Sequence, residues 1–449
     1  MEELILKDLR HIWHPYTQMK DLEEEPPVLI TYAEGVKLYD ASGNFYYDTI
    51  SSWWCNVHGH NHPRIKEAIK RQLDELEHVL LAGFTHKPAV LLAEKLVSIT
   101  PENLVRVFYS DNGSTSVEAA LKMSFQYWRN TGRSRKTKFV HPRNSYHGDT
   151  IGAMSVGGIE LYREIFSPLL FPTFEIPSPY CYRCPAGKER GKCDIDCLKP
   201  LEELLRERSE EIAAFILEPL VQASGGMIIY PAEYVRRAAE ICRRYEVHLI
   251  LDEVATGFGR TGRMFACEIA EVKPDFLCLS KGITSGYLPF AATLTTEEIF
   301  RAFYADYAER KTFFHGHTYT GNPLGAAAAL ASLEVFEEER VLERAGELIP
   351  LFHKRLEEFG KLGIVGDVRC IGLIGALELV RDKSTKEPFP FEERAGWRVY
   401  RKGLRRNLIL RPLGDVIYFF LPLCIKREEL EDIMERAFAV LSEVERELC

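Results

Sequence analysis

At 449 residues, 46% hydrophobic and 27% charged, the chain is longer than one hydrophobic core usually supports and has the balance of a soluble globular protein. A formal charge of −9 excludes the basic footprint of a nucleic-acid-binding protein, and no apolar run approaches the roughly 18 residues of a membrane span. Met1 to Arg10 mixes acidic, basic and apolar residues without a signal-peptide core, so the expectation is a cytoplasmic protein that meets neither nucleic acid nor membrane.

In chain order, strand-like pieces fall near Gly35 to Tyr39 and Phe45 to Asp48. The central region then alternates short apolar runs with helix-length amphipathic stretches. Val105 to Tyr109 reads as a strand and about Val117 to Trp128 as a helix. Phe215 to Leu217, Val247 to Leu251 and Phe276 to Leu279 read as further strands, with Ala232 to Tyr245 as a helix between the first two. The pattern predicts an α/β fold with a large, doubly wound, mostly parallel sheet. The alanine-rich stretch Leu324 to Phe336 has the propensity and length of a helix linking two domains. Beyond it, charged helices and the β segments Leu373 to Leu379 and Val416 to Leu421 suit a smaller α+β domain. The expected division is 1–65 as the N-terminal part of the small domain, 66–325 as the large domain and 326–449 as the remainder of the small one.

Asp252 and Lys281 each follow a predicted parallel strand, at the edge where doubly wound sheets collect ligands. A lysine there can form an imine with a cofactor aldehyde, and a buried carboxylate can keep a pyridine nitrogen protonated. Singly, each has a plainer reading, as a solvated loop lysine and a helix cap. Gly113 and Ser114, followed by Thr115, stand between a strand and a helix, where free N–H groups favour an anion such as a phosphate; serine and threonine there are also ordinary caps. Tyr146-His147-Gly148-Asp149 offers a ring to stack on a flat cofactor, or simply a turn with a packed tyrosine. Eleven cysteines do not describe a disulfide framework. Cys181, Cys184, Cys193 and Cys197 form C-x2-C-x8-C-x3-C on a loop, read either as reduced thiols or as a metal site.

Asp111 to Ala120, Tyr146 to Thr150, Leu251 to Gly262 and Ser280-Lys281-Gly282 together resemble the signature segments of the class III aminotransferases, in the family's order across nearly the whole chain. The resemblance implies a fold type I pyridoxal-phosphate enzyme, a homodimer with active sites shared at the subunit interface. It implies that Lys281 is the cofactor-bearing lysine and proton shuttle, Asp252 the pyridine-nitrogen partner, and Gly113 with Ser114 the phosphate cradle. The segment His315 to Pro323 resembles the loop that reaches the neighbouring subunit's phosphate site, with Thr318 as hydroxyl donor, His317 beside it and Gly316 near substrate.

Three further segments, His11 to Met19, Ser51-Ser52-Trp53-Trp54 and Leu410 to Gly414, resemble the branch of this class that aminates the keto acid 8-amino-7-oxononanoate. The resemblance implies that Tyr16 contacts substrate and Trp53 lines its pocket. Such an acceptor needs an apolar wall and a distant cation. Trp53, Trp54, Tyr16 and Tyr146 can supply the wall and Arg411 the cation, although a tryptophan pair is more often core and an arginine before proline more often surface. Members that use S-adenosylmethionine as donor often carry proline where this chain has His317, and the histidine form occurs in relatives with other donors, lysine among them. Glu218 and Arg260 are candidates for an ion pair, either switching with substrate or purely structural. The competing readings are another class III ω-amino acid or diamine aminotransferase, a catalytically silent binding protein on the same fold, and a racemase or decarboxylase on that fold.

Overall fold

A computed structural model describes residues 2–448. Near the N-terminus, β1 (Ile30–Glu34), β2 (Lys37–Asp40) and β3 (Phe45–Tyr47) form an antiparallel sheet of their own. It is tied to the C-terminal part of the chain, Tyr47 N–H donating to Asn407 and Ile409 N–H donating to Tyr47.

The central sheet has seven strands: β4 (Leu104–Ser110), β5 (Lys138–Pro142), β6 (Phe174–Ile176), β7 (Ile212–Leu217), β8 (His248–Asp252), β9 (Phe276–Leu279) and β10 (Ala291–Thr296), in spatial order β4-β10-β9-β8-β7-β5-β6. Only β10 runs against the rest, pairing antiparallel with both β9 and β4. Strands β7, β8 and β9 are buried along their whole length, as their unbroken apolar runs require of strands covered on both faces. The parallel register sets Leu251 beside Leu217 and Asp252 beside Cys278, so the chain leaves these three strands at one edge. Glu218, Asp252 and Lys281 all stand there.

Helix Gly113–Asn130 packs on this sheet through Val117, Ala120, Leu121 and Ser124. Helix Pro323–Glu338 is largely buried. It is followed by a second antiparallel sheet, β11 (Val365–Ile371), β12 (Ile374–Leu379) and β13 (Val416–Phe420). Among the described residues no helix is long and apolar enough to cross a membrane.

Candidate active site

The carboxyl edge of β7, β8 and β9 forms one wall of a cavity of about 650 Å³, which Gly113, Ser114, Tyr146, His147, Glu218, Asp252 and Lys281 all line. Strand ends bring the acids and the lysine; the helix start after β4 brings the glycine and serine.

At that start, Asn112 caps the helix: its side chain takes the Thr115 N–H at 3.1 Å, and the Thr115 hydroxyl takes the Asn112 N–H in return. Among the described residues no protein acceptor takes the N–H groups of Gly113 or Ser114. They therefore present two free donors at the positive end of an 18-residue helix. A Cβ on Gly113 would lie 2.6 Å from Val254 Cγ1, and one on Gly148, at φ +126°, would lie 2.0 Å from Ser114 Oγ. Gly148 thus lets the Tyr146–Asp149 loop close over the helix start, and Gly113 lets Val254 approach it from the end of β8.

Asp252 is 4% exposed. Its Oδ1 accepts the Val254 N–H at 3.0 Å, and its Oδ2 faces His147 Nδ1 at 2.7 Å. His147 Nε2 is buried and has no partner among the described residues. Lys281 begins a turn at φ +44°, its Nζ 5.2 Å from the centre of the Trp54 ring. Burial holds its amine below the usual lysine range, with the Asp252 carboxylate opposing that shift. Burial, and then Asp252, push the Glu218 carboxyl up to about 8, although it accepts N–H bonds from Tyr146 at 3.0 Å and Ala223 at 2.8 Å.

Tyr16, Trp53 and Arg411 do not line this cavity; beside its Tyr146–Asp149 side, Asp149 accepts the hydroxyls of Tyr16 at 2.6 Å and Tyr146 at 3.0 Å. Tyr16 packs edge-on against Trp53 and Tyr162, with centroids 5.8 and 5.2 Å apart. Arg411 donates to the Tyr16 carbonyl at 2.9 Å and lies 5.4 Å from the Trp53 ring. The structure therefore brings Tyr16, Trp53, Tyr146 and Arg411 into one cluster. Asp149 and Tyr162, which sequence reasoning did not single out, complete it. Asp149 stands inside the quoted Tyr-His-Gly-Asp motif, whereas nothing around Tyr162 marks it.

Gly316, His317 and Thr318 do not line the cavity. His317 instead pairs with Asp111 at 2.8 Å, and Asp111 does line it, so the segment stands at the rim of the phosphate end. The expected Glu218–Arg260 ion pair does not form. Arg260, 1% exposed, spends its guanidinium on Ser51 Oγ and the carbonyls of Trp54, Asn56 and Leu421, at 2.8–3.2 Å. Its two terminal nitrogens are thus taken by a hydroxyl and backbone carbonyls where a carboxylate was expected, and its Nε has no partner among the described residues. Cys181, Cys184, Cys193 and Cys197 are free thiols around a separate cavity of about 160 Å³; among the described residues no group of three or more His, Cys, Asp or Glu is arranged to hold a metal ion.

A buried amine, a carboxylate fixed by two bonds and a helix start with free donors, all on one cavity, fit a flat heteroaromatic aldehyde carrying a phosphate. The chain belongs to the class III aminotransferases, whose family model, described as aminotransferase class-III, matches residues 19–441. Within that class its place is with the adenosylmethionine-8-amino-7-oxononanoate aminotransferases. It is 51% identical to the one from Geobacter sulfurreducens, over 95% of each chain. The crystal structure of the corresponding protein from Methanocaldococcus jannaschii superposes with a TM-score of 0.94 at 46% identity, covering 98% of this chain and 99% of that one. An amine transaminase from an uncultivated Pseudomonas species, solved in a PLP-bound form, is 35% identical with a TM-score of 0.92, covering 96% and 98%.

Proposed function

We propose that the protein is a pyridoxal-phosphate-dependent aminotransferase that converts 8-amino-7-oxononanoate to 7,8-diaminononanoate in biotin biosynthesis, with S-adenosylmethionine as amino donor. The observation that carries the reading is the convergence of the Lys281 amine, the Asp252 carboxylate and the free N–H groups of Gly113 and Ser114 on one cavity. The membership of the chain and the names of its relatives supply the substrate.

Pyridoxal phosphate, when bound, supplies an aldehyde for the amino group and a ring that takes up carbanion electrons. The residues then divide the work. Gly113 and Ser114 N–H would hold the phosphate, and the Tyr146 ring would lie against the cofactor. Asp252 would hold the ring nitrogen protonated, with His147 donating to its other side and fixing its orientation. Lys281 Nζ, whose affinity for a proton burial lowers, would be the base that takes the proton from the donor's Cα and returns one to the acceptor carbon. Beside the cavity, Trp53 and Tyr16 would flank the acceptor's chain and Arg411 would take its carboxylate.

The working unit in this reading is a homodimer. Gly316, His317 and Thr318, which lie outside the cavity of their own chain, would complete the partner's phosphate and substrate sites. His317 favours lysine as the second candidate donor, since S-adenosylmethionine users often carry proline there.

Lys281→Ala tests the assignment. The purified variant is expected to lose transamination and the absorbance of cofactor attached to lysine while keeping its fold. Retained turnover would remove Lys281 from the chemistry and the reading with it.

A further inference from the structure

Ser51, Ser52, Trp53 and Trp54 have φ of +51°, +45°, +69° and +75°. Four successive non-glycine residues in the left-handed region are a conformation that L-residues avoid, so something outside the turn must impose it. Two buried charges do so from opposite ends. Asp48, 1% exposed, accepts the Ser52 N–H at 2.8 Å on Oδ1 and the Ser52 hydroxyl at 2.7 Å on Oδ2, where His60 Nε2 also lies at 2.8 Å. Arg260 takes the far end, donating to the carbonyls of Trp54 and Asn56 at 3.1 and 2.8 Å, and also reaches back to Ser51 Oγ at the start of the turn at 3.2 Å. A carboxylate on the leading N–H and a guanidinium on the trailing carbonyls match the dipole of the turn at both ends. Among the described residues neither charge forms an ion pair with the other; they act through the turn between them.

The turn carries two adjacent indoles to two places in one site. Trp54 lines the cavity, stacks on Phe420 with centroids 5.7 Å apart and faces the Lys281 amine, while Trp53 stands between Tyr16, which bonds the cavity-lining Asp149, and Arg411. In a strand these neighbours would point to opposite faces.

We infer that Asp48 is a positioning residue of this site: through Ser52, and against Arg260, it holds the left-handed turn that aims Trp53 and Trp54 at the substrate path. The kinetic part rests on the aminotransferase reading; the conformational part does not.

The test uses Asp48→Ala, Asp48→Asn and the double variant Asp48→Ala with Ser52→Gly, since glycine enters the left-handed region without strain. Asp48→Ala should alter the near-ultraviolet circular dichroism of the tryptophans and raise KM for 8-amino-7-oxononanoate by about tenfold or more, with a smaller change in kcat. Asp48→Asn, which keeps an acceptor for the Ser52 N–H, should lie between Asp48→Ala and the parent and serves if Asp48→Ala does not fold. Adding Ser52→Gly should return both dichroism and KM toward the parent values. Parent-like dichroism and KM in Asp48→Ala, or defects that Ser52→Gly leaves untouched, would overturn the inference. If the parent protein does not turn over this keto acid, the dichroism series alone decides the matter, and the failure lies with the substrate reading.

Discussion

Lys281 and Trp54 face one another from two uncommon backbone states, φ +44° at the lysine and +75° at the tryptophan. Such residues cost about 1–3 kcal/mol each and persist only where their surroundings over-determine them. Here the surroundings are the buried ends of β8 and β9 and the bonds from Asp48 and Arg260. Neither state is legible in the sequence, because Ser-Ser-Trp-Trp contains no glycine or asparagine to announce it. Arg411 is a different case. Its place beside Trp53 follows the sequence reading, but its bond to the Tyr16 carbonyl adds a task that the reading did not contain. Arg411→Ala should raise KM for the keto acid by about tenfold or more, the loss of one charge-assisted contact of about 1.5–3 kcal/mol, and change the donor half-reaction less. Steady-state kinetics with each substrate varied would show this; an unchanged KM for the keto acid would place its carboxylate elsewhere.

Elements with uninterrupted apolar runs were the readable ones. Strands β7, β8 and β9 lie within a few residues of where the pattern sets them, since full burial writes itself into composition, and helix Ala232–Arg244 does so through its one apolar face. Strands β5 and β6 escaped notice. Lys138–Pro142 carries a lysine, a histidine and a proline, and Phe174–Ile176 is only three residues long, so neither has the alternation or the run that signals a strand. The antiparallel direction of β10 is equally silent, because direction depends on the connection and not on side-chain pattern. The N-terminal strands form a sheet of their own whose ties to Asn407 and Ile409 run through backbone bonds that sequence cannot display. The phosphate cradle was legible as a motif, yet its closeness was not. Gly148→Ala would set a Cβ 2.0 Å from Ser114 Oγ at a φ of +126°, so the loop must lift from the helix start. Titration with pyridoxal phosphate should show affinity weakened by about tenfold or more, on the scale of the 1–3 kcal/mol that overpacking costs. Parent-like affinity would mean that this loop does not close the cradle.

Over the whole molecule, large side chains stand in solvent that a folded chain usually covers: Trp13 is 89% exposed, Tyr307 91% and Phe314 79%. Phe314 immediately precedes the His315–Pro323 segment proposed to serve a partner's site, so an exposed ring adjoins the residues proposed to reach the partner. Sedimentation at micromolar concentration should therefore find a dimer, and a fully active monomer would contradict the shared site. The central claim concerns chemistry and has a more direct test. The protein is loaded with pyridoxal phosphate and mixed with S-adenosylmethionine or lysine alone, and the cofactor absorbance is followed through one half-reaction. The proposal predicts conversion to the pyridoxamine form by S-adenosylmethionine and its reversal on adding 8-amino-7-oxononanoate. Conversion by lysine alone would change the donor and leave the acceptor standing. A cofactor that neither donor converts and the keto acid does not reverse, while another ω-amine does, would contradict the assignment.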